Sequence, residues 1–198
     1  MILSGNSVAH ALMALGAQYA GIPSAAIAPA YSLVSTDYGK LKSVRDQITP
    51  GAVFADDVTP FRPAIDAVFE DLPVLGVAGA GLAMSWEDLL ATHPGAGLDA
   101  ASAATGPDTV AKFMFTSGTT GAPKAVIQTQ RMLCANMAQA QDCYAFSRDE
   151  PPVLMDWAPW NRVAAVTKSS TWRSITAARS ISTTGGPRRA GSTRPSAI

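Results

Sequence analysis

Short apolar runs alternate with helix-period segments along the first 160 residues, and this alternation restricts the fold more than any other feature. Met1-Ile2-Leu3 reads as a strand, and Gly5-Asn6-Ser7 as a turn ending in a helix cap. Val8, Leu12 and Leu15, with Ala11 beside them, place an apolar stripe on one face of the helix that follows. Ile22 to Ala28 forms the next strand. Ser35-Thr36-Asp37 caps a helix that runs to about Ile48 and is stopped by Pro50-Gly51. Ala52 to Ala55 is a short buried strand, Phe61 to Phe69 is helical, and Pro73 to Ala78 is again a strand. Ser85-Trp86-Glu87-Asp88 opens another helix, whereas Gly95 to Pro107 is small and flexible and reads as a surface loop. Val110 to Phe115 and Lys124 to Gln128 are strands, Thr129 to about Tyr144 is a helix, and Val153-Leu154-Met155 is a last strand. Such a succession predicts an α/β fold with a mostly parallel sheet flanked by helices on both faces.

Between the strands ending at Phe115 and starting at Lys124 lies the one segment whose composition suggests chemistry. Gly118 and Gly121 let backbone approach oxygen atoms closely and adopt positive φ. Successive backbone N–H groups in such a turn make an anion-binding concavity. Thr116, Ser117, Thr119 and Thr120 supply hydroxyl donors, and Lys124 supplies a positive charge. The segment is not a Walker A loop, because Lys124 follows Pro123 and precedes Ala125. Nor is Gly76-Val77-Ala78-Gly79-Ala80-Gly81 a dinucleotide fingerprint: its glycine spacing is that of a tight strand exit. The residues expected to grip a polyphosphate are Thr116, Ser117, Gly118, Thr119, Thr120, Gly121 and Lys124.

Thr-Ser-Gly-Thr-Thr-Gly-Ala-Pro-Lys after an apolar strand resembles the signature of the AMP-dependent synthetase and ligase superfamily of adenylate-forming enzymes. Pro123 to Ile127 and Thr129 to Asn136 resemble feruloyl-CoA synthase in particular. So do Met1 to Asn6, Gly21-Ile22-Pro23, Pro29 to Leu33, and Asp156-Trp157 with Pro159-Trp160-Asn161. The resemblance covers residues 1–161 and implies part of the N-terminal domain of the adenylate-forming ligase fold. It implies an acid–CoA ligase in which a hydroxycinnamate-type carboxylic acid attacks ATP, in the presence of Mg2+, and CoA then displaces AMP. It assigns the seven loop residues to ATP and no catalytic or metal-binding residue. In the family a histidine follows the position of Asn161, near the acyl site; here Arg162 stands there. Trp157 to Trp160 is open to two readings, acyl-site flank or ordinary core.

The net charge of zero conceals a sharp partition. Residues 1–161 hold all 15 acidic residues and 8 basic ones, a balance of −7, while residues 162–198 hold 7 basic residues and no acid. The resemblance stops at this boundary. The last 37 residues contain 13 Ser or Thr and few large aliphatics, which predicts a disordered tail unrelated to the preceding domain. A nucleic-acid-binding arm would show an aromatic platform beyond Trp172 or a repeated basic motif, and neither is present. Out-of-frame translation explains the tail better. Feruloyl-type ligases continue with a stretch like Tyr-His-Gly-Gly-Thr-Leu-Tyr-Ile-Asp-Asp-Gly-Arg-Pro. GC-rich codons for it, read one base late, encode Ile-Thr-Ala-Ala-Arg-Ser-Ile-Ser-Thr-Thr-Gly-Gly-Pro, which is the sequence from Ile175 to Pro187. On this reading the chain is a fragment that starts directly on a strand. It lacks the later part of the large domain, where the resemblance places adenine and ribose recognition, and the small domain with its catalytic lysine. Such a chain is expected to be inactive alone.

The remaining signals are bland. An apolar content of 47% with 15% charged residues is that of a globular protein. Cys134 and Cys143 lie nine apart in a helix and fit neither a metal motif nor a disulfide framework. His10 and His93 are isolated from soft ligands. No apolar run reaches the roughly 18 residues of a membrane span, and no signal peptide opens the chain. The expectation is a cytoplasmic protein with small-molecule partners and no membrane or nucleic-acid partner.

Overall fold

A computed structural model describes residues 1–116, 121–148, 153–156, 158–161 and 179–182. Its centre is a row of strands. β1 (Ser24–Ala25), β5 (Val110–Thr116) and β6 (Lys124–Thr129) form one three-stranded sheet in the order β1-β5-β6. β2 (Val53–Asp57), β3 (Val74–Ala78) and β4 (Met84–Ser85) form another in the order β2-β3-β4. Ile2 joins the two, bridging Ala26 on one side and Phe54 on the other, both in the parallel sense. Its neighbours complete the ladder: Ile2 N–H donates to the Ala25 carbonyl at 2.8 Å, and Leu3 N–H to that of Phe54 at 2.9 Å. The expected first strand is therefore the seam of the whole sheet.

All pairings in these two sheets are parallel except that of β5 with β6, which is an antiparallel hairpin. Antiparallel neighbours need only a short connection; of the parallel pairs, β1–β5 and β2–β3 are joined through helices, while β3 and β4 are joined by the turn at 79–83. The helices are α1 (Val8–Tyr19), α2 (Ala30–Leu33), α3 (Gly39–Ile48), α4 (Arg62–Val68), α5 (Trp86–Ala91), α6 (Gly97–Ala103) and α7 (Gln130–Cys143). The period of two along each strand sorts side chains onto two faces. Leu3, Ala25, Val53, Ala55, Phe113 and Phe115 face Leu41 and Val44 of α3 and Ala64, Ile65 and Val68 of α4, forming the main core. Met114 faces the other way and packs with Trp160 and Ala11 of α1. Helices thus cover both faces.

Local chemistry explains the helix ends. Ser7, Ser85 and Thr129 each accept a hydrogen bond at Oγ from the backbone N–H three residues on, capping α1, α5 and α7. The Ser35–Asp37 signal works differently. α3 begins after Tyr38, which is left-handed at φ 53°, with Ser35 Oγ accepting from Tyr38 N–H and Asp37 Oδ1 from Gly39 N–H. In β3, Gly76 is obligatory: a Cβ there would stand 2.8 Å from the Ala55 carbonyl oxygen of the neighbouring strand. Gly79 (φ 109°) and Gly81 (φ 69°) then turn the chain out of the strand, and Arg62 donates to the carbonyls of Ala80 and Gly81.

Two expectations are corrected. The stripe on α1 is turned only partly inward: Val8 is 77% and Leu12 49% exposed, whereas Ala11 beside them packs on Met114 and Trp160, and His10 is 4% exposed. His10 Nδ1 lies 2.8 Å from the Gly5 carbonyl and its ring meets Trp160 edge-on at 5.3 Å. These contacts turn the His10–Ala11–Ala14 side of the helix inward. The segment from Gly95 to Pro107 is not all loop, because α6 occupies its middle. Leu-Asp-Ala-Ala-Ser-Ala is rich in the best helix former and contains no breaker, so local propensity suffices for two turns.

β7 (Val153–Asp156) and β8 (Arg179–Ser182) pair in parallel. β8 falls within residues 162–198, where composition alone suggests an unstructured tail. Ladder pairing draws on backbone groups, which that composition does not disfavour. The rest of that segment lies outside the described residues.

Candidate functional site

The hairpin of β5 and β6 presents the glycine- and hydroxyl-rich segment. Its register pairs Thr116 with Lys124, Phe115 with Ala125 and Met114 with Val126, so the two ends of the segment are fixed opposite each other. Thr116 closes β5 and Lys124 opens β6 with its side chain exposed. Gly121 is left-handed at φ 83°, and nothing lies within 4 Å of the place a Cβ would take. Its glycine is needed for conformation, and the space beside it is open to a ligand. Ser117, Gly118, Thr119 and Thr120 lie outside the described residues. The structure therefore brings together Thr116, Gly121 and Lys124 of the seven expected residues.

One residue that sequence reading missed holds this site. Gln47, in the last turn of α3, donates from Nε2 to the Pro123 carbonyl at 2.9 Å and accepts at Oε1 from Ala125 N–H at 3.2 Å. The side-chain amide mimics a strand neighbour and straddles Lys124, fixing the backbone on both sides of it. Nothing in the sequence marks a glutamine at a helix end as a clamp on a segment 76 residues away. Replacing Gln47 with Ala removes both bonds and should lower stability by about 1–2 kcal/mol. Amide exchange at Ala125 should rise in the same variant, and unchanged exchange would contradict the clamp.

Beside the loop a cleft of about 570 Å³ opens between α2, the start of α3 and Gly121-Ala122-Pro123. Ser35, Asp37, Lys40 and Ser43 contribute its polar lining. Lys40 Nζ stands 5.5 Å over the ring of Tyr31, which orients one cation at the rim. Ser35 Oγ and the Gly39 N–H donate to Asp37, and these two bonds hold its carboxyl below the usual range, so it is anionic at neutral pH. The base of the hairpin is tied to α7. Arg131 N–H donates to the Pro107 carbonyl, and the Arg131 guanidinium makes two bonds to the Asp108 carboxylate, at 3.1 and 3.2 Å. The pair is exposed, and its value is geometric more than energetic.

The aromatic stretch divides. Trp157 lies outside the described residues, but Trp160 is core: it is buried against His10 and Met114. Asn6 fixes its backbone, donating from Nδ2 to the Ala158 carbonyl and accepting at Oδ1 from Trp160 N–H, both at 2.8 Å. Among the described residues no cluster of three or more His, Cys, Asp or Glu can hold a metal, and no helix is long and apolar enough to cross a membrane. Cys134 and Cys143 are both exposed and unpaired by a disulfide.

Comparison with solved structures finds the same fold repeatedly. ATP-bound MatB from Rhodopseudomonas palustris superposes with a TM-score of 0.65 at 20% identity, over 90% of this chain and 33% of that one. VinN superposes with a TM-score of 0.69 at 20% identity, over 91% of this chain and 42% of that one. A multidomain structure of a keto acid-selecting NRPS module, containing adenylation and ketoreductase domains, gives a TM-score of 0.70 at 19% identity, over 91% of this chain and 14% of that one. The chain spans about a third of the length of the first of these. No curated protein matches the sequence significantly. The sequence model of the AMP-binding enzyme family matches residues 1–172, which is most of the chain and includes the whole hairpin. With that match over most of its length, this chain belongs to the AMP-binding enzyme family, and its fold is the one these structures share.

Proposed function

We propose that the chain is the phosphate-gripping portion of an AMP-forming acid–CoA ligase that activates a hydroxycinnamate-type carboxylic acid. The observation that carries this reading is the clamped hairpin. Thr116 and Lys124 face each other across it, a left-handed Gly121 has open space beside it, and Gln47 fixes the backbone around Lys124. In the first step a carboxylate oxygen bonds to the α-phosphorus of ATP, the bond to the β-phosphate bridging oxygen breaks, and pyrophosphate leaves. In the second, the CoA thiol displaces AMP from the acyl-adenylate. The first step develops charge on the departing phosphates. Lys124, the Thr116 hydroxyl and backbone N–H groups from Ser117 to Gly121 are the groups we assign to that charge. Mg2+ would be carried on the ATP phosphates, where it would share the charge of the departing pyrophosphate.

The subfamily reading rests on Pro123 to Ile127, Thr129 to Asn136 and the segments at 1–6 and 29–33. ATP–pyrophosphate exchange dependent on ferulate tests it. The 198-residue chain is expected to give no exchange alone; a longer chain with the frame restored past Asn161 should exchange, and Lys124→Ala in it should lower the rate about 100-fold or more. A second reading, a non-catalytic product with weak phosphate binding, is favoured by exposed apolar side chains at Val8, Leu12 and Leu15. Pyrophosphate binding without ferulate-dependent exchange in the longer chain as well would select it. A cytoplasmic setting accords with the two exposed free thiols.

For residues 162–198 our reading remains translation out of frame. Its supports are the charge partition at Asn161 and the codon correspondence from Ile175 to Pro187. The family match runs to residue 172 and stops before that correspondence begins, so we assign the frame change to the interval between Asn161 and Ile175. Genomic sequence over these codons decides it: an added or lost base relative to related strains is expected, and an intact frame with the same tail in those strains would refute it.

A further inference from the structure

The cleft beside the phosphate loop holds a cation that the hairpin does not supply. Lys40, Ser43 and Gln47 are spaced to share one face of α3, and Gln47 fastens that face to Pro123 and Ala125. Lys40 stands seven residues before Gln47, roughly 10 Å along the helix axis. Gly121, Ala122 and Pro123 line the cleft together with Lys40 and Ser43, so the chain running back from Ala125 to Gly121 follows α3 toward Lys40. Lys40 takes part in none of the ion pairs among the described residues. Its Nζ lies 5.5 Å over the Tyr31 ring, which holds the ammonium at the cleft. Ser43 Oγ accepts from Gln47 Nε2 at 3.3 Å, and its own O–H is left to donate. Asp37 brings the opposing charge to the lining, since its hydrogen bonds keep it ionised at neutral pH.

We propose that Lys40 is a second phosphate-binding cation, which contacts the terminal phosphate of a nucleoside triphosphate whose inner phosphates lie on the hairpin. This rests on the reading of the hairpin as the phosphate site, and it adds a residue that distinguishes a triphosphate from a diphosphate. The Ser43 O–H and the open backbone at Gly121 offer neutral donors to the same group. Asp37 opposes a bare phosphate chain, so the cleft favours one whose charge is partly neutralised by a cation that it carries. An exposed lysine on a solvated helix face would account for Lys40 by itself. It would not account for Lys40 sharing the Gln47 face and lining one cleft with Gly121.

The test uses the 198-residue chain with lysine labelled at 13Cε, titrated with MgATP and with MgADP. Both should move the signal of Lys124, and MgATP alone should move that of Lys40. Lys42, which lies off the cleft, should stay in place with either. Lys40→Ala should weaken MgATP binding about tenfold, the loss of one charge-assisted bond, and leave MgADP binding within about twofold. Asp37→Asn should tighten the binding of metal-free ATP. The labelled wild-type chain gives the answer even if a variant fails to fold. A shift at Lys124 with Lys40 unmoved would overturn this proposal and leave the hairpin reading standing. With neither lysine moved, the hairpin reading falls, and this proposal with it. Equal shifts at Lys40 and Lys42, or equal shifts of Lys40 with both nucleotides, would also overturn it, since the attraction would then be that of any exposed lysine.

Discussion

Lys112→Met raises the stability of the folded chain at neutral pH by about 3 kcal/mol, the opposite of what most core substitutions do. Lys112 sits on β5 between buried Ala111 and half-buried Phe113, and burial brings its amine from 10.5 to about 8. In the folded chain the neutral amine is therefore preferred relative to the unfolded chain. The cost of the buried charge is fully present below pH 8, and it is relieved as pH rises toward the unfolded value of 10.5. The amino group of Met1 acts in the same sense at lower pH. It is buried, donates to the Ala52 carbonyl at 2.8 Å, and is brought down from 8.0 to about 6 by desolvation. His10, also lowered by burial, adds to the trend below its ordinary value of 6.5. Stability measured by denaturant should therefore rise from about pH 6 to pH 10, and Lys112→Met should flatten the upper part of that rise. Methionine keeps the length and apolar stem of lysine, so the packing on β5 is preserved. A variant less stable than the parent at pH 7 would show that Lys112 has a partner in solution.

Phe69→Ala has the largest destabilising effect, about 3–5 kcal/mol. Phe69 follows α4, is fully buried in the main core, and carries the Arg45 guanidinium over its ring at 5.9 Å. Arg45 in turn donates to the Val68 carbonyl and makes a 2.6 Å ion pair with Asp71, so the ring underlies the join of α3 and α4. Domains of this kind hold only about 5–15 kcal/mol in total, and this single truncation removes a large share. Leu12→Ala is the matched control. Leu12 is an apolar residue of the expected stripe, but it stands half in solvent, and its loss should change stability by no more than about 0.5 kcal/mol. A large effect at Leu12 would instead place the Val8–Leu12–Leu15 side of α1 against the core.

These three substitutions show which physical signals reach the sequence. Strand and helix alternation is legible because hydrogen-bond periodicity imposes it locally, and the caps at Ser7, Ser85 and Thr129 mark where helices start. The phosphate loop is legible because glycine and hydroxyl residues cluster between two strands. The rotation of α1 is not. It depends on His10 meeting Gly5 and Trp160, and Trp160 is 150 residues away. Nor does an isolated lysine in an apolar strand declare its burial, since an edge or a solvated face would read alike. The β5–β6 hairpin was hidden in the same way, because apolar runs fix that strands exist and not their direction. Gln47 belongs to this class too: its role arises only when α3 lies across the start of β6.

The most direct test of the phosphate site is pyrophosphate and MgATP binding to the 198-residue chain, followed by calorimetry in parallel with Lys124→Ala. Lys124 is exposed, so its removal should leave the fold intact. Saturable binding that weakens about tenfold or more in the variant is the expected result, from the loss of one charge-assisted contact to phosphate. Equal affinity for both proteins, or no binding by a folded parent chain, would contradict the assignment of the Thr116–Lys124 hairpin to phosphate.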